Sequence, residues 1–393
     1  YSFFKFTTME DIIYLDHNAT TPLDPRVLEA MMPYLTNLYA NASSNHQFGH
    51  DASEAVKTAR KQIADLVGCD KHEIVFTSGA TEAINLAIKG VAEKYAQKGK
   101  HIITCQTEHK AVLDVCEYLD KHGFEVTYLG VDEDGLISLE ELESKIRKDT
   151  ILVSVMLANN ETGVIQPIQE ISKIAKGHGA LFMTDATQAY GKMEIDVNEL
   201  GIDLMAFSGH KIYGPKGVGG LYVRQNRPFV KLDPLVHGGG HERGFRSGTL
   251  NVPGIVGLGE ASKLAKELMA VNCKNIGALR DFLEKELLKI DGAKLNGHPD
   301  KRLHNVSNIL FEGVDADALM MKMDHVMISN GSACTSTEVF PSHVLKGMGR
   351  SDNEAYSSVR ISLGRNTKKE ELEEVVSLIK NAVDQIRSLT FTS

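Results

Sequence analysis

Short apolar runs alternate with longer amphipathic stretches through the first two thirds of the chain. The runs Ile74–Phe76, His101–Cys105, Glu125–Leu129, Ile151–Leu157, Leu181–Thr184, Leu204–Phe207 and Gly219–Val223 read as strands. Between them, Ser53–Val67, Thr81–Gln97, Ala111–His122, Leu139–Arg147 and Ile168–His178 carry the period of amphipathic helices. Strand and helix in alternation predict an α/β domain: a mostly parallel, seven-stranded sheet between layers of helices. In such sheets ligands bind at the carboxyl ends of the strands, so the residues that follow each strand are the candidates for chemistry. After residue 260 the pattern changes. A helix over Ala261–Ile290 leads to strand-like Val306–Phe311, Val326–Ser329 and Ser358–Leu363, and a helix from Lys368 to about Ser388 closes the chain. This predicts a large domain over 20–260 and a smaller α+β domain built from 9–19 and 261–393, with the Asn251–Gly254 stretch approaching the boundary. Residues 1–8 precede Met9 and read as an added or upstream extension.

Composition narrows the class. The chain has 393 residues, enough for two domains, and its 42% apolar and 24% charged content is that of a water-soluble globular protein. A net charge of −9 argues against a broad nucleic-acid-binding surface. No apolar stretch reaches the roughly 18–20 residues that a membrane span requires. The five cysteines, Cys69, Cys105, Cys116, Cys273 and Cys334, are odd in number and contain no C-x-x-C pair. That pattern excludes a disulfide scaffold and a structural zinc site, no metal is expected, and a reducing cytoplasm is the expected home.

The strand ends carry the functional signal. Lys211 follows the apolar run Leu204–Phe207 in the turn Ser208-Gly-His-Lys211. A lysine delivered there by a buried strand loses its proton readily, and the neutral amine can hold an aldehyde cofactor as a Schiff base. Pyridoxal phosphate (PLP) is the usual such aldehyde. Taken alone, the lysine is more simply a turn residue. Thr77-Ser-Gly-Ala-Thr-Glu82 opens a helix with small residues and free N–H groups, which suits a phosphate or a plain N-cap. His109 sits at a strand-to-helix junction, placed to stack on a flat ring, to move protons, or to cap the helix. Asn159 and Asn160 stand in a glycine-ended turn, where amides orient a ligand or simply make the turn. Asp185 ends the apolar run Leu181–Thr184, and a carboxylate there needs a partner, such as a protonated pyridine nitrogen or a helix N-terminus. Each signal is weak by itself; together they describe a PLP site. A glycine-rich loop, His237–Thr249, adds Arg243, Arg246 and Thr249 and suits phosphate, from this chain or a neighbouring subunit.

The stretches Tyr14-Leu-Asp-His-Asn-Ala-Thr-Thr-Pro22, Thr77–Glu82, Thr107-Glu-His-Lys110, Asn159-Asn-Glu-Thr-Gly163, Asp185-Ala-Thr-Gln188, Ser208–Lys216, Arg246-Ser-Gly-Thr249 and Asn330-Gly-Ser-Ala-Cys334 resemble the cysteine desulfurases. The resemblance runs in order from Tyr14 to about Arg365. It implies the class V aminotransferase-like, fold-type I architecture of PLP enzymes and a homodimer with the site near the subunit interface. By resemblance, Lys211 carries PLP, Asp185 pairs with the pyridine nitrogen, Gln188 with the phenolic oxygen, and His109 stacks on the ring. Ala80, Thr81, Ser208 and His210 hold the phosphate, with Thr249 donated by the second subunit. Asn160 lies near cofactor and substrate, and Arg360 grips the substrate carboxylate.

Cys334 separates this family from its relatives. It lies in Gly331-Ser-Ala-Cys-Thr-Ser336, a small, polar setting expected to form an exposed mobile loop on which a thiol can ionise. The resemblance implies a sulfurtransferase that converts L-cysteine to L-alanine and leaves the sulfur as a persulfide on Cys334 for an acceptor protein. That acceptor belongs to iron–sulfur cluster assembly, tRNA thiolation or DNA sulfur modification. The loop after Cys334 has the length of the longer-loop class. The chain runs few residues past its closing helix, where many iron–sulfur assembly members carry a docking tail, which puts the usual scaffold partner in question. The rival readings are a selenocysteine lyase or another PLP-dependent lyase or aminotransferase on the same fold, and a non-catalytic partner in a DNA-modification complex.

Overall fold

The structure is a computed structural model and describes residues 12–226, 229–330 and 340–390. In chain order come β1 (Ile13–Tyr14), α1 (Pro25–Thr36), α2 (Gln47–Val67), β2 (Ile74–Thr77) and α3 (Ala80–Tyr95). Strand and helix then alternate through β3 (His101–Cys105), α4 (Lys110–Asp120), β4 (Glu125–Leu129), α5 (Leu139–Lys145), β5 (Thr150–Ser154), α6 (Ile168–Gly177) and β6 (Leu181–Asp185). The strands β7 (Leu204–Ser208) and β8 (Gly219–Val223) precede the long α7 (Val252–Leu287). The remainder holds β9 (Ala293–Leu295), β10 (Val306–Phe311), α8 (Ala316–Met321), β11 (Val326–Met327) and α9 (His343–Gly347). It ends with α10 (Asp352–Tyr356), β12 (Ser358–Ser362) and α11 (Lys369–Thr390).

The expected seven-stranded sheet forms in the order β2-β8-β7-β6-β5-β3-β4. All its pairings are parallel except those of β8, which runs antiparallel to β2 and β7. The apolar runs of β3, β5 and β7 are buried along their length, and that of β6 from Phe182 on, because helices cover both faces. Alternation along each strand sends Ile102, Leu152 and Met183 to a core under α3 and α4, and Ile103, Val153 and Phe182 to a core under α2, α5, α6 and α7. Gly220 of β8 has no room for a side chain: a Cβ there would lie 2.4 Å from the Phe207 ring, which stacks on Tyr190.

The C-terminal part forms a three-stranded antiparallel sheet, β12-β10-β9, beside the parallel pair β1-β11. Ile13 and Leu15 share an apolar cluster with β10, β12 and α11, so the N-terminal strand belongs to this second core. Isolated bridges from Asp16 to Ser362 and from Ser329 to Arg360 tie the segment after β1 and the end of β11 to β12.

The long helix starts at Val252, nine residues before the expected Ala261. Pro253 and the glycines at 254, 257 and 259 read as breakers, yet a proline in a first turn loses no intrahelical bond. Asn251 caps that turn by accepting from the Gly254 N–H at 3.1 Å. Gly259 is then a packing requirement, since a Cβ would sit 2.5 Å from the Ala59 Cα of α2. The helix begins in the core of the large sheet and ends in that of the second one. Helix α1 and the first turns of α2 were not expected, and β5 stops at Ser154, short of the expected Leu157.

Candidate active site

The carboxyl ends of the parallel strands open into a cleft of about 1240 Å³. Its floor comes from the residues after β2, β3, β6 and β7, and its other walls from Asp16–Thr20, α9 and β12. Lys211 ends a single 3₁₀ turn directly after β7 and reaches back to segment 16–20. Its Nζ donates to the backbone oxygens of Asn18 and Ala19, both at 2.6 Å. Burial and, next, the Arg360 guanidinium lower its pKa to about 8, against the opposing pull of Asp16 and Asp185.

Asp185, the last residue of β6, is buried with Oδ1 accepting from the Thr187 N–H at 2.9 Å and its hydroxyl at 2.5 Å. Its second oxygen makes no hydrogen bond among the described residues, and the side chain lines the cleft. Gln188 is also buried; its Nε2 donates to the Asn18 oxygen at 2.9 Å. That Asn18 oxygen therefore serves Lys211 and Gln188 together.

The start of α3 is an open anion cradle. Its N-cap is Gly79, with φ 157° and no side-chain cap, so the first-turn N–H groups of Ala80 and Thr81 remain free at the cleft. Ser208 lies against this turn: a Cβ on Gly79 would come 3.9 Å from its Oγ. His210 completes the wall with Nδ1 3.1 Å from the Thr20 hydroxyl. Desolvation first, then the neighbouring lysines, push its pKa down to about 4, so the ring is neutral at pH 7.

His109 is exposed at the cleft and caps α4, its Nδ1 accepting from the Ala111 N–H at 3.1 Å. In the neutral ring that contact leaves the hydrogen on Nε2. Arg360, buried in β12, donates through Nη2 to Asp16 Oδ1 at 2.7 Å and through Nη1 to the Asn160 oxygen at 3.1 Å. Its Nε and the Asn160 Oδ1 are buried without a partner among the described residues, and both side chains line the cleft.

The structure thus brings Lys211, Asp185, Gln188, His109, Asn160 and Arg360 into one cleft together with Ala80, Thr81, Ser208 and His210. Thr249 does not line it; the residue is exposed, three positions after Arg246, whose Nε pairs with Glu82 Oε1 at 2.8 Å. Cys334 lies outside the described residues. Several site residues sit inside stretches that carry the resemblance, Tyr14–Pro22 and Asn159–Gly163, without a residue type that marks their role. Asp16 and Asn18 act from a loop whose neighbours come from β12, and Asn18 works through a backbone oxygen, which has no residue type. Glu161 is buried in the cleft wall, where burial pushes its carboxyl up to about 7, and it accepts from the Ser342 hydroxyl at 2.5 Å.

The family model described as Aminotransferase class-V matches residues 13–375. A protein of Pectobacterium carotovorum subsp. carotovorum named Cysteine desulfurase IscS is 52% identical over 381 residues, 96% of this chain and 94% of its own. Among solved structures, a NifS-like protein superimposes with a TM-score of 0.89 at 38% identity, covering 95% of this chain and 99% of its own. SspA in complex with cysteine gives a TM-score of 0.79 at 41% identity, over 89% of this chain and 98% of its own.

Proposed function

The chain belongs to the class-V aminotransferase family and is a PLP-dependent cysteine desulfurase, and we propose that Lys211 holds the cofactor while Cys334 receives the sulfur. The observation that carries the assignment of roles is the meeting of Lys211, Asp185 and Arg360 in one cleft. The residues present fit the cofactor. The uncapped start of α3 with Ser208 and His210 suits its phosphate, the unbonded oxygen of Asp185 suits a protonated ring nitrogen, and Gln188 faces the same space. When bound, PLP supplies an electron sink for the carbanion formed at the substrate Cα.

Arg360 binds the cysteine carboxylate, with its unpartnered Nε adding to donors that Asp16 and Asn160 already orient. The Lys211 amine takes the Cα proton, a task matched by a pKa near the working pH. His109 donates and recovers protons through Nε2, since Nδ1 is engaged. The Cys334 thiolate attacks the substrate sulfur, the new S–S bond forms as the C–S bond breaks, and the electron pair left on carbon takes up a proton to give alanine. The sulfane sulfur then passes to the thiol of an acceptor protein.

The working unit is a homodimer in which Thr249 completes the partner's phosphate site; exposure of Thr249 outside its own cleft supports this. Residues 20–260 form the cofactor domain, and 9–19 with 261–393 form the domain that carries Cys334; a distinct apolar cluster of Ile13, Leu15 and side chains within 276–383 supports a second unit, while Ala261, Leu264 and Ala265 of α7 still pack with the first. The cytoplasm is the proposed location, supported by free thiols at Cys69, Cys105, Cys116 and Cys273. Among the described residues no helix is long and apolar enough to cross a membrane.

Reconstituted protein given L-cysteine and excess dithiol is expected to release alanine and sulfide in equal amounts as the dithiol is oxidised to its disulfide, and without the dithiol to carry persulfide on Cys334 by mass spectrometry. Alanine formed from selenocysteine but not from cysteine would assign the lyase reaction instead. Arg360→Lys is expected to raise KM for cysteine by about tenfold or more, because a point charge replaces a planar fork, with the cofactor absorbance unchanged. An unaltered KM would remove Arg360 from carboxylate binding.

A further inference from the structure

Lys192 has no part in the roles above, yet its ammonium sits inside the hydrogen-bond system of the site. The residue is partly buried in the turn that follows β6, four positions after Gln188. Its Nζ donates to Gln188 Oε1 at 2.9 Å and to Asn18 Oδ1 at 3.3 Å. No carboxylate lies within ion-pair distance of it among the described residues. Its charged neighbours are cations: desolvation first, then Lys211 and Arg360, disfavour its protonated form and bring its pKa down to about 7. The imidazoles of His17, His210 and His304 around it are each depressed to about 4, desolvation first, so they stay neutral at pH 7 and offer the ammonium no negative partner. An amine held in such surroundings by two amide oxygens is expensive to keep, and a surface lysine would need none of it.

The bonds determine which way two amides point. Gln188 Oε1 is taken by the amine, so the amide nitrogen is turned to the Asn18 oxygen, at 2.9 Å, with its second N–H available to the cleft. Asn18 Oδ1 receives Asn305 Nδ2 at 3.0 Å as well as the amine, and its Nδ2 donates to the Asn160 oxygen at 3.1 Å. Asn18 is therefore fixed at both ends, and its backbone oxygen, shared with Lys211 Nζ, cannot wander. Without the amine, the Asn18 carbonyl alone would hold the sense of the Gln188 amide, Oε1 would lose its donor, and a turned amide would face an acceptor in the cleft with an acceptor.

We propose that Lys192 is a positioning residue that locks the Gln188 carboxamide with its nitrogen toward the cleft, so that a phenolic oxygen bound there meets a donor. This rests on the reading that PLP occupies the cleft. The test uses holoenzyme of the wild type, Lys192→Met, Lys192→Gln, Gln188→Ala and the Lys192→Met/Gln188→Ala pair. The readouts are the dissociation constant of PLP and the pH midpoint of its bound visible band. A wild type with no band would overturn the cofactor reading itself, before Lys192 is at issue. With the band present, Lys192→Met is expected to weaken PLP binding by about tenfold and to move the midpoint by about one pH unit. Lys192→Gln, which keeps a donor without the charge, should stay within about threefold of wild type. In the Gln188→Ala background, Lys192→Met should change nothing further, since its effect acts through that amide. Wild-type behaviour of Lys192→Met, an effect that persists without Gln188, or a Lys192→Gln protein as impaired as Lys192→Met would each overturn the proposal. If Lys192→Met does not fold, the comparison of Lys192→Gln with Gln188→Ala decides it: equal impairment overturns, and near-wild-type binding by Lys192→Gln supports.

Discussion

Lys211→Ala is expected to yield protein with no borohydride-fixable PLP adduct and alanine production lower by about 10⁴-fold or more, because one change removes both the covalent anchor and the proton acceptor. The cost follows from the site's electrostatics. A lysine at its ordinary pKa is about 0.1% neutral at pH 7.5, whereas one lowered to about 8 is about a quarter neutral. Burial and Arg360 thus raise the supply of nucleophilic amine by more than two orders of magnitude; Lys192, the other amine lowered this far, is held by Gln188 and Asn18 and does not line the cleft. The sign gives a further check: capture of PLP by wild-type apoprotein should quicken as pH rises toward 8 and then level off. Absorbance spectra and peptide mapping after borohydride reduction measure both effects. An adduct of wild-type yield on the Lys211→Ala protein would remove position 211 from the chemistry. Free PLP should still bind this variant weakly through the start of α3, Ser208 and His210, so loss of the adduct is separable from loss of the pocket.

The strand ends were legible because they are local. His101–Cys105, Glu125–Leu129 and Gly219–Val223 are apolar or β-branched runs whose bounds the structure reproduces, and the polar residue after each run is found by counting. Lys211, Asp185 and His109 needed nothing more. What was not legible depends on partners distant in sequence. Asn18 organises Lys211 and Gln188 through a carbonyl, and its own side chain is set by residues 142 and 287 positions away. Arg360 was found through the family resemblance, but its pairing with Asp16 across 344 positions was not. Lys192 reads as an ordinary lysine in a polar turn until the fold wraps four segments, bearing His17, His210 with Lys211, His304 and Arg360, around it. The helices that escaped, α1 and the head of α2, contain Pro25, Pro33, Gly49 and His50, which weaken periodicity; packing against α7 rather than propensity holds them.

Cys334→Ser is expected to leave the PLP spectrum and the affinity for cysteine near wild type while lowering sulfur transfer by at least about 10³-fold, the loss that follows when a thiolate nucleophile becomes a hydroxyl. The protein's other described thiols make the test clean. Burial holds Cys69 well above the usual thiol range and pushes Cys105 and Cys116 up to about 12, and Cys273 is raised as well, also by burial first. Each stays protonated at pH 8, and none of these four lines the cleft, so none can take over the attack. Cysteine should therefore bind and lose its Cα proton normally in the variant, which exchange of the substrate Cα hydrogen with heavy water would report. Sulfur should remain on carbon, with no persulfide detected on any peptide and no alanine above background. This split, exchange retained and desulfuration lost, distinguishes a missing acceptor thiol from a damaged cofactor site, in which both would fall together. Wild-type persulfide transfer to an acceptor by the serine variant would show that the sulfur travels by another route.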